Sequence, residues 1–195
     1  MALILGSILI PLSTQVEQRQ VADATQQLEL IKDALIGFAT ANGRLPCPDR
    51  ATGSSGVGVA NDGQEDSPTT PCANVEGNVP WATLGLGAVD PWGNRYRYRV
   101  TQEFASSTSL PTLATLGNIQ ICESYDSAFS CVNALTIAPS NAVAMILSHG
   151  PNGWGAISPA TNRHRLTPRV RGERTGGYRR TATTSRYSAG TAIAP

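Results

Sequence analysis

From Val21 onward, Val21, Ala24, Leu28, Ile31, Leu35 and Phe38 recur at spacings of 3, 4, 3, 4 and 3. That rhythm puts all six on one face of an α-helix, a packing stripe. Polar residues fill the other positions; Glu29 and Lys32 attract at i,i+3, while Glu29 and Asp33 repel weakly at i,i+4. Asn42-Gly43 supplies a stop signal, with Pro46 just beyond. Upstream, Met1–Leu12 (MALILGSILIPL) is uncharged and apolar apart from Ser7. Twelve helical residues rise only ~18 Å, against a hydrocarbon layer of ~30 Å. The stretch lacks the basic start and small-residue cleavage site of a signal peptide, and it reads as an incomplete membrane anchor. Pro11 should kink it, because the ring meets the carbonyl of Ser7. The first element is therefore one helix over residues 1–43, apolar all round at first (1–12) and one-sided afterwards.

The pattern then changes to period two. Asn94–Thr101 (NRYRYRVT) alternates strictly, with Tyr96, Tyr98 and Val100 on one side and Arg95, Arg97 and Arg99 on the other. The three arginines read as the solvent side of an antiparallel strand rather than as an anion-binding face. Gly117–Glu123 is a second strand. Ala142–Ser148 is a third, a buried run ended by the turn His149-Gly150-Pro151-Asn152-Gly153. Residues 44–80 are rich in Pro and Gly and read as loop. The fold class that follows is α+β, a long N-terminal helix packed on a small antiparallel sheet.

Composition refines this picture. The chain has 195 residues with 41% hydrophobic and 15% charged content, enough apolar material for a core. A net charge of +1 conceals two unlike parts. Met1 to Asn162 has seven basic against thirteen acidic residues; Arg163 to Pro195 has eight Arg against Glu173 alone. The body is thus too acidic for a default nucleic-acid binder. The domain reading is helix 1–43, a β domain over 44–160, and a disordered Arg-rich tail over 161–195 of frameshifted character. The competing reading of that tail is a basic arm for DNA or acidic lipid.

Candidate chemistry is sparse. The four cysteines, Cys47, Cys72, Cys122 and Cys131, contain no C-x-x-C, and only His149 and His164 could complete a zinc set, so disulfides are expected over a metal. Three pairings are possible; nearest-neighbour pairing fits, since each bond closes a loop short of apolar contacts. Ser148-His149 with Asp90 or Asp126 could suggest nucleophile, base and orienter. Neighbours on a strand point to opposite faces, however, and there is no G-x-S-x-G elbow. The stretch Gly53–Ala60 lacks the Lys-Ser/Thr of a phosphate loop. Asn61–Asp66 (NDGQED) offers oxygens to calcium but lacks the D-x-D-x-D-G order, and it reads as a solvated acidic loop. No catalytic residue, metal site or cofactor is assigned.

Several segments together resemble type IV pilin-like proteins, nearest the type II secretion pseudopilins and their prepilin-type relatives. They are Pro11–Arg19, Leu35-Ile-Gly-Phe38, Asn42–Pro48, Pro80–Leu86 with Trp81, the turn Asp90-Pro91-Trp92-Gly93-Asn94, and Ser148–Gly153 with His149, Gly150, Asn152 and Gly153. The likeness covers about Ala2 to Ala160, and the Asp-Pro-Trp-Gly-Asn turn is its most specific part. It implies a non-enzymatic subunit of a type II secretion pseudopilus or type IV pilus-like filament that polymerises through its N-terminal helix. It further implies a single-pass bacterial inner-membrane protein with a periplasmic domain. Its partners would be homologous pilin-like subunits, membrane lipid and the secretion or pilus assembly machinery. The family's Gly-Phe-Thr-Leu-Ile-Glu processing site is not in the chain, so no cleavage or methylation residue is placed. Some pseudopilins bind calcium through a late acidic loop, and the matching Ser148–Gly153 turn has no acid. The competing functions are a DNA-binding minor pilin or exported binding module using the Arg-rich tail with Arg95, Arg97 and Arg99, and a periplasmic hydrolase centred on His149.

Overall fold

The computed structural model describes residues 2–51, 58–66, 71–125, 131–134, 141–159, 161–164 and 190–193; side chains are described for 14–51, 58–66, 71–121 and 141–159. One helix, α1, spans Ala2–Asn42. It ends where the sequence says it should: Gly43 adopts φ +70° and its N–H returns to the Ala39 carbonyl at 2.8 Å. The expected Glu29–Lys32 ion pair forms on its surface. Of the six-residue stripe, Ala24, Leu28, Ile31 and Leu35 are buried, Phe38 is half-buried, and Val21 stays exposed. The stripe therefore meets the body only from Ala24 onward, and residues 14–19 are exposed throughout.

The body is a small antiparallel sheet. Its strands are β1 (Glu76–Asn78), β2 (Arg97–Val100) and β5 (Ala144–Leu147), with β8 (Gly190–Ile193) paired on the outer side of β5. Register is set by Tyr98 opposite Ile146 and Val100 opposite Ala144. These face inward onto Leu28, Ile31 and Leu35, and Leu45, Val79, Tyr96 and Val143 complete the core. Tyr98 is fully buried, and its hydroxyl donates to the Pro46 carbonyl at 3.1 Å. Tyr96 donates to Oε1 of Gln27, a direct tie from sheet to helix. Burial pushes both phenols well above their ordinary pKa. Two hairpins lie outside this sheet: β3 (Cys122–Tyr125) with β4 (Cys131–Ala134), and β6 (Ile157–Ser158) with β7 (Thr161–His164). Short helices α2 (Trp81–Leu84) and α3 (Gln102–Ala105) flank the core.

Four readings change. The strand expected over Gly117–Glu123 is reduced to a bridge between Ile119 and Ala142, with β3 starting only at Cys122. The region read as loop, 44–80, contains β1, and its start is interior rather than superficial: Arg44 to Arg50 are all buried. Arg95 leaves the solvent face it was expected to share with Arg97 and Arg99 and is buried. Parts of the tail read as disordered, Thr161–His164 and Gly190–Ile193, are paired backbone. Residues 53–57 of the glycine stretch, Asp126 and residues 165–189 lie outside the described residues.

The Cys47–Cys72 disulfide forms, closing a separation of 25 residues with both cysteines buried. Cys122 and Cys131 sit on the paired strands β3 and β4; their side chains lie outside the described set, and so does their expected bond.

Candidate functional site

Two polar constructions organise the surface of the body, and the first lies at the turn that is most specific in sequence. Asp90 is buried, and its carboxylate gathers three donors. Oδ1 accepts the backbone N–H of Trp92 at 3.0 Å and of Asn94 at 2.8 Å. Oδ2 accepts the Ser148 hydroxyl at 2.7 Å. An Asp at the head of a turn commonly bonds the N–H two residues on, and Pro91 presets the backbone for it. Gly93 at φ +81° completes the turn. Ser148 Oγ also accepts the Gly150 N–H at 3.1 Å, and Asn94 Nδ2 reaches the Gly150 carbonyl at 3.4 Å. Residues 90–94 and 148–153 thus come together as two turns bolted to each other. Gly150 and Gly153 are left-handed at φ +65° and +57°, and the Gly153 N–H closes onto the Gly150 carbonyl. Asn152 is exposed and His149 half-buried. Chemically the arrangement positions backbone: the Ser148 hydroxyl proton points at Asp90, with no imidazole between them.

The second construction was not legible as a site. Asp49 is fully buried next to β1 and holds the loop that follows it. Its Oδ1 accepts the Asn61 N–H at 2.9 Å and its Oδ2 the Gly63 N–H at 3.2 Å, while Asn78 Nδ2 approaches at 3.4 Å. Burial raises the Asp49 pKa to about 6, against the pull of these donors. Arg95 Nε donates to Asn61 Oδ1 at 2.8 Å and Nη1 to the Ala88 carbonyl at 2.9 Å. Its guanidinium lies 3.8 Å from the Trp81 ring centre, so the arginine is a structural plate between Trp81 and the loop. Gly63 packs tightly against Trp81: a Cβ there would lie 2.3 Å from the indole.

The acidic residues expected to be solvated are neutralised instead. Glu65 is forked onto Arg44 at 2.8 and 3.0 Å, and Asp66 meets Arg50 at 3.1 Å with both side chains buried. Only Asp62 of the loop's acids is exposed. Among the described residues no three His, Cys, Asp or Glu side chains converge in a way that could hold a metal ion. Arg97 and Arg99, the arginines left on the outer face of β2, both meet Glu76 of β1, at 2.6 and 3.7 Å. The signal that could have found this clamp is stoichiometric: Arg44 and Arg50 precede the loop and Glu65 and Asp66 end it, two charges of each sign.

The third feature is apolar. On the projecting part of α1, Val16 is 51% and Val21 44% exposed, and Leu30 and Ile36 stay half-uncovered farther along. Among the described residues no helix is long and apolar enough to cross a membrane. Beyond α3, Leu110, Leu113 and Leu116 all face solvent. No family model, curated protein or solved structure matches this chain.

Proposed function

We propose that this protein is a structural subunit of a pilin-like filament, of the secretion-pseudopilus or pilus kind, which assembles through α1. One observation carries the reading: α1 is one element of 41 residues, yet among its described side chains the buried stripe begins only at Ala24. Ahead of it, residues 14–19 are all exposed, and in sequence they follow the uncharged, apolar run Met1–Leu12. A helix whose apolar start is not packed on its own core gains stability from another apolar environment. Lipid supplies one, and the equivalent helices of sister subunits supply another. Two further features agree with this reading. Among the described residues, Asp90, Ser148, Arg50 and Asp66 are taken up in turns and ion pairs, and the disulfide pins a loop as suits an oxidising envelope compartment. The resemblance of the 90–94 and 148–153 turns to pilin-like proteins points the same way.

The experiment compares the full chain with a chain lacking residues 2–13. After reconstitution, the full chain should float with phospholipid vesicles and form elongated oligomers once detergent is diluted; the shortened chain should stay monomeric. A full chain that remains a vesicle-free monomer would overturn the proposal.

A further inference from the structure

We infer that the polar ladder between residues 44–50 and 61–66 is a pairing device: it docks this loop while the cysteines are still reduced, and so selects Cys47–Cys72 among the pairings open to four cysteines. Every rung is a carboxylate. Glu65 forks onto Arg44 and also accepts the Cys47 N–H at 3.2 Å. Asp49 takes the N–H groups of Asn61 and Gly63. Asp66 accepts the Arg50 N–H at 2.9 Å and pairs with the guanidinium of the same residue. The Arg50 carbonyl accepts the Asn61 N–H at 2.8 Å. Gly58, at φ +81°, lets the chain close over Asp66, where a Cβ would fall 1.7 Å from Oδ1.

The ladder is fastened to elements outside the disulfide loop. The Gly63 carbonyl accepts the N–H groups of Ala82 and Thr83 at the start of α2, and the Glu65 N–H donates to Thr83 Oγ1. Asp49 exchanges two backbone hydrogen bonds with Asn78 of β1. None of these contacts runs through sulfur. The ion pairs are also interior: Arg44, Arg50 and Asp66 are buried, and Glu65 nearly so. A buried pair adds little net stability, but a register that leaves one of its charges unpaired is strongly penalised, so the ladder admits one docking. Chain length alone discriminates weakly. Cys72–Cys122 would span 50 residues against 25, and doubling a loop lowers its closure only about threefold. Docking holds Cys47 inside the ladder and leaves Cys72 six residues beyond Asp66; Cys47 is 0% and Cys72 7% exposed. The Cys72 thiolate therefore attacks an external disulfide oxidant first and releases one thiolate from it; the Cys47 thiolate then displaces the second from the mixed disulfide. The Cys47–Cys72 bond forms, the oxidant's sulfur–sulfur bond breaks and takes the two electrons, and the two cysteine protons pass through solvent to the released thiolates.

The test uses the purified full chain in detergent. In the fully reduced, otherwise unaltered chain, hydrogen exchange at the Asn61 and Gly63 amides should stay about a hundredfold slower than in an unfolded chain. The reduced, denatured chain is then refolded in a mixture of reduced and oxidised glutathione, and the pairings are mapped on non-reduced peptides. In the double variant Glu65→Gln with Asp66→Asn, the yield of Cys47–Cys72 should fall about fivefold or more. Glu76→Gln, which loosens only the exposed pairs with Arg97 and Arg99, should leave that yield unchanged. Exchange at unfolded-chain rates in the reduced protein, or a double variant that re-forms Cys47–Cys72 as fully as the unaltered chain, overturns the inference. Should the double variant not fold at all, the exchange measurement on the unaltered chain decides. Neither result bears on assembly through α1.

Discussion

Asp90 and Ser148, 58 residues apart in sequence, meet through a 2.7 Å hydrogen bond in the interior. The bond joins the turn that leads into β2 to the turn that leaves β5, two neighbouring strands. Because Asp90 also takes two backbone N–H groups, its removal leaves several buried donors without a partner.

Asp90→Ala should therefore cost about 3 kcal/mol, since each buried donor left unsatisfied costs ~1–3 kcal/mol. Ser148→Ala should cost about 1 kcal/mol, because only one hydroxyl and its bonds are lost. The double variant should cost less than the sum of the two, the mark of a shared bond. Urea denaturation of the four proteins measures this; strict additivity would contradict the contact.

Asp49 makes stability depend on pH with a definite sign. Its folded pKa, about 6, is above the ordinary value of 3.8, so the folded state binds the proton more tightly than the unfolded chain does. The associated stability is fully present below pH 3.8 and is lost as pH rises toward 6. The span corresponds to about 3 kcal/mol at ~1.4 kcal/mol per pH unit. Asp66, raised by burial as well, adds in the same direction. In Asp49→Asn this loss should shrink to the part due to Asp66, which denaturation curves from pH 4 to 7 would show. An unchanged pH dependence in the variant would contradict the assignment.

Arg95 is fixed by a plate-like stack and a planar fork, so lysine cannot replace it. Arg95→Lys should cost about 1–3 kcal/mol through the lost Trp81 stacking and the lost bonds to Asn61 and Ala88. Arg97→Lys, on the partly exposed face beside Glu76, should cost under ~1 kcal/mol. Thermal melts distinguish the two; equal losses would contradict the buried role of Arg95.

Reducing the Cys47–Cys72 bond, or replacing both residues with serine, should cost about 3 kcal/mol, the chain-entropy value for a loop of this size. Because both sulfurs sit in the core, the serine variant should lose more than reduction does. Denaturant midpoints with and without reductant give the comparison.

Much of the helix and the inner strands was legible because burial there follows a simple period. The stripe from Ala24 to Leu35 and the alternation Tyr96-Tyr98-Val100 both follow from which residues must leave water. Arg95 broke the alternation because its neighbours Trp81 and Asn61 come from 14 and 34 residues upstream, a contact no local pattern encodes. For the same reason Asn61–Asp66 looked solvated: its neutralising arginines precede it by 16 to 21 residues. β1 was missed because Glu-Gly-Asn has almost no strand propensity; its pairing with β2 and the bridge from Asp49 make it a strand. The Asp90 turn was noticed as a motif, but its bond to Ser148 required the sheet to bring the ends of β2 and β5 together.

Assembly through α1 requires the helix to be a single rod that reaches beyond its own body. Spin labels at positions 7 and 40 of the full chain, read by pulsed dipolar spectroscopy, test this directly. Thirty-three helical steps at ~1.5 Å predict one narrow distance near 50 Å. A distance below about 30 Å, with the apolar start folded back on the domain, would contradict the rod and the assembly role built on it.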